Sequence, residues 1–518
     1  MVRGLDGRKN SDDDHCHSEC RIIHCLPFEI LVRIFEFAVD SDSDPWGFVN
    51  PSRVTAPLTL TWVCSSWRQT AISYPKFWTS ISLVSHGSSS SCLNEGILDL
   101  FVRRSGDRLP FSFALNYEHA LEFSRTYRLS VDHLDNEKYL DRVNAIASRL
   151  IKIRHRWRRL IINVLVLEAL EPFFHLLSHS EEVGSEMPML EELSISTKYT
   201  EFYGPRLTLS LKSCSQLRTV RILTPMVFFD PRHPLLEHIT TLDLHFCNSQ
   251  QDAIAWLTSC PSLQSFSIDF FASTNNNLNP IATSAERRIR LPRLTYFSLT
   301  CFYGELGAET LLDSLDLPSL REFHFIRCGL VIASLNDSAW QSIINLLTGR
   351  SEGPLPLRGL RFINAPATSS ELREILERVG GGIRYLALGG EACTDNLLED
   401  FQPKIITESV PGTELELTSR RSEPLCPKLE ALELLDVNVS LSSVTSLASS
   451  RAATTHSLLS LPQTANSSLQ SRPSFRTLKR LALLSEKFSR CFSDQGPDLT
   501  HPLSMKPHFP EGFDVFLL

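Results

Sequence analysis

One pattern recurs so often along this chain that it restricts the fold more than any other feature. It is an apolar residue, two variable ones, a second apolar residue, one variable, and a third apolar residue. It reads Leu190/Leu193/Ile195, Leu217/Val220/Ile222, Ile239/Leu242/Leu244, Leu263/Phe266/Ile268 and Leu294/Phe297/Leu299. It continues as Leu320/Phe323/Phe325, Leu357/Leu360/Phe362, Ile383/Leu386/Leu388, Leu429/Leu432/Leu434 and Leu478/Leu481/Leu483. Trp78/Ile81/Leu83 and Trp157/Leu160/Ile162 look like earlier members. A single copy says little, because any half-buried strand alternates this way. A dozen copies imply one structural unit stacked many times.

Where the copies are clean they lie about 22 to 31 residues apart, a spacing that resembles leucine-rich repeats. Helical patterns fall between them. Leu372, Ile375, Leu376 and Val379 form one stripe, opened by a Thr368-x-x-Glu371 capping box and stopped by Gly380. Residues 252–259, 309–315 and 338–347 read the same way. The expected fold class is therefore α/β: a curved leucine-rich-repeat-like solenoid with a parallel sheet on one face and helices on the other. The positions between the last two apolar residues of each copy should line the free face of that sheet. They are Ser194, Arg221, Asp243, Ser267, Ser298, His324, Arg361, Ala387, Glu433 and Ala482. This mixture of signs and small groups names no ligand class.

The repeats are preceded by something different. Leu26, Ile30, Leu31, Ile34, Phe35 and Ala38 make a helical stripe, and Phe28, Val32 and Phe37 add apolar groups outside it. Pro27 suits the start of that helix and Glu29 the positive end of its dipole. Residues 41–57 are loop-like. A second helical pattern runs through Leu60, Val63, Cys64, Trp67 and Ala71 and ends at Pro75. Some fifty residues in short helices cannot enclose all of that apolar surface, so the surplus must meet the next domain or another protein.

These residues carry a resemblance. The order L-P-x-E-I-L-x-x-I-F, a gap, V-C-x-x-W-R and a closing Pro-x-x-Trp resembles the F-box, and the sequel F-W-T-S-I-S-L is similar to the large F-box families of mushroom-forming fungi. The likeness covers residues 22 to about 83, more weakly to about 162. It implies an all-α module that docks a Skp-family adaptor and, through it, a cullin–RING ubiquitin ligase. Carried over position by position, the adaptor-binding residues are Leu26, Pro27, Ile30, Leu31, Ile34, Val63, Cys64, Trp67 and Arg68. The acidic insertion Asp40 to Asp44 departs from the compact pattern of many F-boxes.

Other features exclude more than they assign. The net charge of −8 opposes general affinity for nucleic acid or anionic lipid. No apolar run approaches the roughly 20 residues of a membrane helix, and residues 1–20 lack the apolar centre of a secretory signal. Thirteen scattered cysteines read as free thiols in the cytoplasm or nucleus. His15, Cys16, His17, Cys20, His24 and Cys25 lack the second pair a zinc site wants and read as tail residues. The basic run Arg149 to Arg159 reads as a wet helix face leading into a strand, with Trp157 at a core position. Gly380, Gly381 and Gly382 precede a strand and do not form a phosphate loop. No catalytic constellation and no cofactor site is present, so no enzyme is expected.

The chain divides on this reading into a tail at 1–21, the F-box-like module at 22–84, the repeat region at 85–490 and a C-terminal tail at 491–518 without a clear repeat. Within the repeats, the Ser/Thr/Ala-rich tract 440–474 reads as a low-complexity insertion, extended or disordered. The function implied is a non-catalytic substrate receptor of a ubiquitin ligase, the repeats binding an unknown protein substrate. The alternative is a repeat scaffold acting outside a ligase.

Overall fold

In a computed structural model of the chain, the turn before five of the strands is written as apolar-Pro-x-apolar. Leu190, Leu263, Leu294, Leu320 and Leu429 each donate a backbone N–H to the residue three before, at 3.1–3.3 Å. Those acceptors are Met187, Cys260, Leu291, Leu317 and Cys426, and a proline follows each of them. Proline fixes the backbone for the second position of a β-turn. Both apolar ends of every such turn are buried. The turn therefore aims one side chain into the core just before the strand adds two more.

The described residues are 26–51, 54–86, 95–118, 136–164, 167–173, 187–197, 207–209, 211, 214–224, 227–229, 236–247, 250–271, 288–302, 308–328, 337–348, 355–402, 404–408, 418–422, 424–437, 439–459, 478–484 and 514–517. They belong to two compact units, Met1–Asp230 and Pro231–Leu518.

The first unit opens with α1 (Phe28–Asp42), α2 (Leu60–Val63), α3 (Ser65–Ser73) and a 3₁₀ turn, Pro75–Trp78. Then come β1 (Ser80–His86), α4 (Glu95–Arg104), β2 (Phe111–Glu118), α5 (Asn136–Lys152), β3 (Trp157–Val164), β4 (Glu192–Thr197) and β5 (Thr219–Leu223). The five strands lie side by side in chain order, all parallel. Parallel neighbours need a crossover, which α4 and α5 supply after β1 and β2. Trp78 and Trp157 repeat one device: each indole N–H donates to the carbonyl seven residues back, Ala71 at 2.8 Å and Leu150 at 3.1 Å. Both carbonyls sit in the last turn of a helix, where no backbone partner remains. Both tryptophans are buried.

The second unit contains β6 (Thr241–Cys247), α6 (Gln250–Ser259), β7 (Ser265–Phe271), β8 (Tyr296–Phe302), α7 (Glu309–Ser314), β9 (Glu322–Cys328), α8 (Asp337–Thr348) and β10 (Gly359–Ile363). It goes on with α9 (Ser369–Val379), β11 (Tyr385–Gly389), α10 (Asp395–Asp400), β12 (Ala431–Leu435), α11 (Leu441–Leu459), β13 (Arg480–Leu484) and β14 (Asp514–Leu517). These nine strands again form an open parallel sheet in chain order, and Lys404–Glu408 pairs antiparallel with Thr418–Ser422 outside it. The core triplets stack in register: Phe266, Phe297, Phe323, Leu360, Leu386, Leu432 and Leu481 are successive partners. Three strands end alike. Asn364, Gly390 and Asp436 follow directly on register partners Ile363, Gly389 and Leu435, and all three have φ between 47° and 90°. Asn, Gly and Asp tolerate this left-handed step, which turns the chain out of the sheet.

The α9 capping box is present, with Thr368 N–H donating to Glu371 at 2.7 Å and Glu371 N–H to Thr368 Oγ1 at 3.3 Å. Gly380 is not a left-handed stop, since its φ is −65° and a 3₁₀ turn, Gly380–Gly382, follows the helix; glycine is needed there for packing. A Cβ there would lie 2.9 Å from Cys426 Sγ, and one on Gly382 would lie 2.6 Å from the Leu357 carbonyl oxygen.

Several expectations are corrected. The serine-rich tract at 440–474 is helical over Leu441–Leu459, because Val444, Leu447, Ala448 and Arg451 recur at helical spacing and are buried. The tail at 491–518 contains β14, which pairs parallel with β13. Phe111–Glu118 is a strand that the repeat pattern missed, its Phe111, Phe113 and Leu115 alternating without the leading apolar residue. The single helix expected from Leu60 to Ala71 is two, broken at Cys64. The rest of 440–474, and the His/Cys cluster at 15–25, lie outside the described residues.

Candidate docking site

Helix α1 has two apolar faces. Leu31, Val32 and Phe35 point into the unit, where Phe35 meets Trp67 edge-on at 4.9 Å and Phe77 at 6.2 Å. Ile30, Ile34 and Phe37 occupy the opposite side at offsets 0, 4 and 7, within an arc of about 60° at 100° per residue. They are 47%, 44% and 75% exposed. Phe28, Trp46, Val54, Trp62, Val63 and Ile72 are exposed as well, so nine of the ten exposed large hydrophobic residues among those described fall between residues 28 and 72. The tenth is Met189.

The residues matched to the F-box pattern separate into roles. Pro27, Ile30, Ile34 and Val63 are exposed, while Leu26 is half-buried. Leu31 is a core residue. Cys64 has extended backbone and caps α3, its sulfur accepting from Trp67 N–H at 3.4 Å. Arg68 is exposed, and its Nε donates to the Thr61 carbonyl at 2.7 Å, closing the end of α2. Trp67 is half-buried against Phe35, and its indole N–H has no partner among the described residues. Thus Leu31, Cys64, Trp67 and Arg68 build the module, and Ile30, Ile34 and Val63 furnish its surface. Sequence reasoning passed over Phe37 and Trp62 as contacts. The signal for Phe37 was its place on the Ile30–Ile34 stripe.

The module is anchored to its strands. Glu36 accepts from Tyr74 at 3.1 Å and pairs with Lys76 at 3.0 Å, and the Lys76 bond holds its carboxyl below the usual value. The acidic loop after α1 is ordered by Asp44, whose carboxylate accepts the backbone N–H groups of Trp46 and Phe48. Phe48 and Val49 are buried, and Val49 accepts from Ser82 N–H on β1 at 2.7 Å. Arg159 on β3 lies 4.6 Å over the Phe48 ring and donates to the Trp46 carbonyl. Arg221 on β5 lies 5.4 Å from the Trp46 ring centre. Glu192 on β4 binds both arginines, Arg159 at 2.8 Å and Arg221 at 2.5 Å.

Four arginines of the basic run 149–159 are engaged inside the same unit. Arg149 pairs with Glu95 and Asp99, Arg158 with Glu191 and Arg159 with Glu192. Arg156 is buried, donating to the Leu109 carbonyl and Ser105 Oγ, and its burial lowers its pKa.

On the second unit's sheet the residues expected on the free face form one row: Asp243, Ser267, Ser298, His324, Arg361, Ala387, Glu433 and Ala482 are successive register partners. Ser194 and Arg221 are partners in the first unit. The cysteines of the described residues are free thiols, and burial raises Cys260, Cys393 and Cys426 to about 12, far from a reactive thiolate.

No helix among the described residues is long and apolar enough to cross a membrane. The geometry defines a class: an α/β repeat protein whose leading helices present an apolar surface. Compared with models of known protein families and with curated protein sequences, the chain matches none.

Proposed function

We propose that this chain is the substrate receptor of a Skp–cullin–F-box ubiquitin ligase, docking a Skp-family adaptor through its leading helices and a protein substrate through its repeats. The observation that supports it is the concentration of exposed apolar side chains between residues 28 and 72, with Ile30, Ile34 and Phe37 set as a second face on a helix whose first face is already buried. Apolar helix stripes of this kind seat against apolar grooves of partners. The receptor performs no covalent chemistry; it raises the effective concentration of substrate lysines near a ubiquitin-charged enzyme. The test is co-expression of the full chain with a Skp-family adaptor and a cullin, followed by affinity capture. Recovery of both partners supports the reading. Recovery of the adaptor without cullin favours a scaffold outside a ligase, and recovery of neither overturns it.

A further inference from the structure

We propose that Arg361, on the free face of the second unit's sheet, receives a carboxylate of a bound peptide, with Tyr296, His324 and Tyr385 forming the walls of the site. The proposal deepens the substrate-binding half of the function above and rests on that reading.

His245 and Glu433, on the same face, have their partners within the protein. His245 lies between Asp243 at 3.0 Å and Asp269 at 2.6 Å. Tyr385 donates to Glu433 at 2.7 Å. Arg361 is half-buried and makes no hydrogen bond or ion pair with a described residue; its Nε is closed off from solvent without an acceptor. A partly desolvated cation with no acid in direct contact is costly, and a ligand carboxylate at its outer N–H groups offsets that cost.

His324 stands directly opposite Arg361 in register. Its Nδ1 is 3.2 Å from the Tyr296 hydroxyl, and its Nε2 is buried with no partner among the described residues. Burial, then the charge of Arg361, lowers His324 to about 4, so the ring is neutral near pH 7. Burial raises Tyr296, which keeps its proton and shares one hydrogen bond with Nδ1. Two adjacent strands thus hold buried nitrogens, His324 Nε2 and Arg361 Nε, that lack partners among the described residues.

The size of the charge is set by the surroundings. Glu322 is exposed beside the row and Glu433 is engaged by Tyr385. Both oppose a dianion, so the site suits one negative charge better than a phosphate. Tyrosine and arginine are also the residue types that dominate peptide hot spots.

The full-length protein, immobilised, would be exposed to three random peptide pools of about ten residues. One carries Asp and Glu with an amidated end, one lacks acids but keeps a free C-terminal carboxylate, and one carries phosphoserine with neither. Retention is compared with Arg361→Gln and with Arg361→Lys, each checked by thermal melting. The expected result is at least tenfold lower retention of a carboxylate pool by Arg361→Gln, with Arg361→Lys intermediate; which of the two pools responds separates side-chain from chain-end recognition. Equal retention by wild type and both variants, or an Arg361-dependent preference for the phosphoserine pool, overturns the proposal. Should Arg361→Gln melt early, Arg361→Lys decides alone. No adaptor enters this assay, so its failure leaves the docking of the leading helices untouched.

Discussion

Replacing Ile30, Ile34 and Phe37 together by alanine should separate docking from folding. Fully burying an Ile or Phe side chain yields about 1.5–3 kcal/mol. These three begin 47%, 44% and 75% exposed, so only that part remains to be gained on association. Scaled by those fractions, covering all three is worth about 4 kcal/mol, of which alanine retains a minor share. The loss of about 3 kcal/mol corresponds to roughly a hundredfold in Kd. The measurement is a calorimetric titration of the purified full chain with a Skp-family adaptor. By the same scaling the parts already covered, about half of Ile30 and Ile34 and a quarter of Phe37, carry about 2 kcal/mol of stability, so the titration is run well below the melting range of the variant. Phe35→Ala is the opposite case. Phe35 is fully buried between Trp67 and Phe77, and its truncation should cost about 3–5 kcal/mol of stability. If the triple variant binds the adaptor within threefold of wild type, the exposed stripe is not the contact and the reasoning fails.

Three further outcomes are expected. His245 is raised to about 9: burial alone would lower it, but hydrogen bonds to Asp243 and Asp269 outweigh burial. Its contribution is complete below its unfolded value near 6.5 and is lost as pH rises through about 9; partial exposure limits it to about 2 kcal/mol. Denaturant unfolding of wild type at pH 6 and 9.5 should show this loss, and His245→Asn should flatten it. Arg451→Ala should destabilise the second unit by about 3 kcal/mol, since it strands the carbonyls of Phe401, Leu425 and Cys426 that the guanidinium now satisfies; the check is a melting curve. Glu192→Gln should speed amide exchange at Ser82, whose N–H reaches the loop held by Arg159 and Arg221, while leaving Leu360 and Leu386 in the second unit unchanged.

The repeat pattern was legible because parallel strands with one buried face write the same triplet each time, and even the row Ser298–His324–Arg361–Ala387 could be aligned from it. What stayed hidden obeys other rules. Phe111–Glu118 lacks the leading apolar residue, so the triplet search passed it by. The helix Leu441–Leu459 hides in Ser and Ala, which do not announce an apolar stripe, and its buried cation Arg451 reads as a surface residue. The break at Cys64 comes from a side chain that caps a helix with sulfur, outside the usual capping set. Within the docking site, apolar content on both faces of α1 was visible, yet the division into Leu31 inside and Ile34 outside depends on where α3 packs.

Trp78 has a consequence for anyone who wants the leading helices in isolation. Its ring meets Phe101 at 5.1 Å and lies under the Arg104 guanidinium at 4.2 Å, and both belong to the helix beyond the first strand. A fragment cut after residue 84 would leave that indole bare and forfeit the neighbours that shield it. The docking element is not a detachable cassette: it is the first storey of the building, and grafting it onto another scaffold requires carrying at least the next strand and helix along.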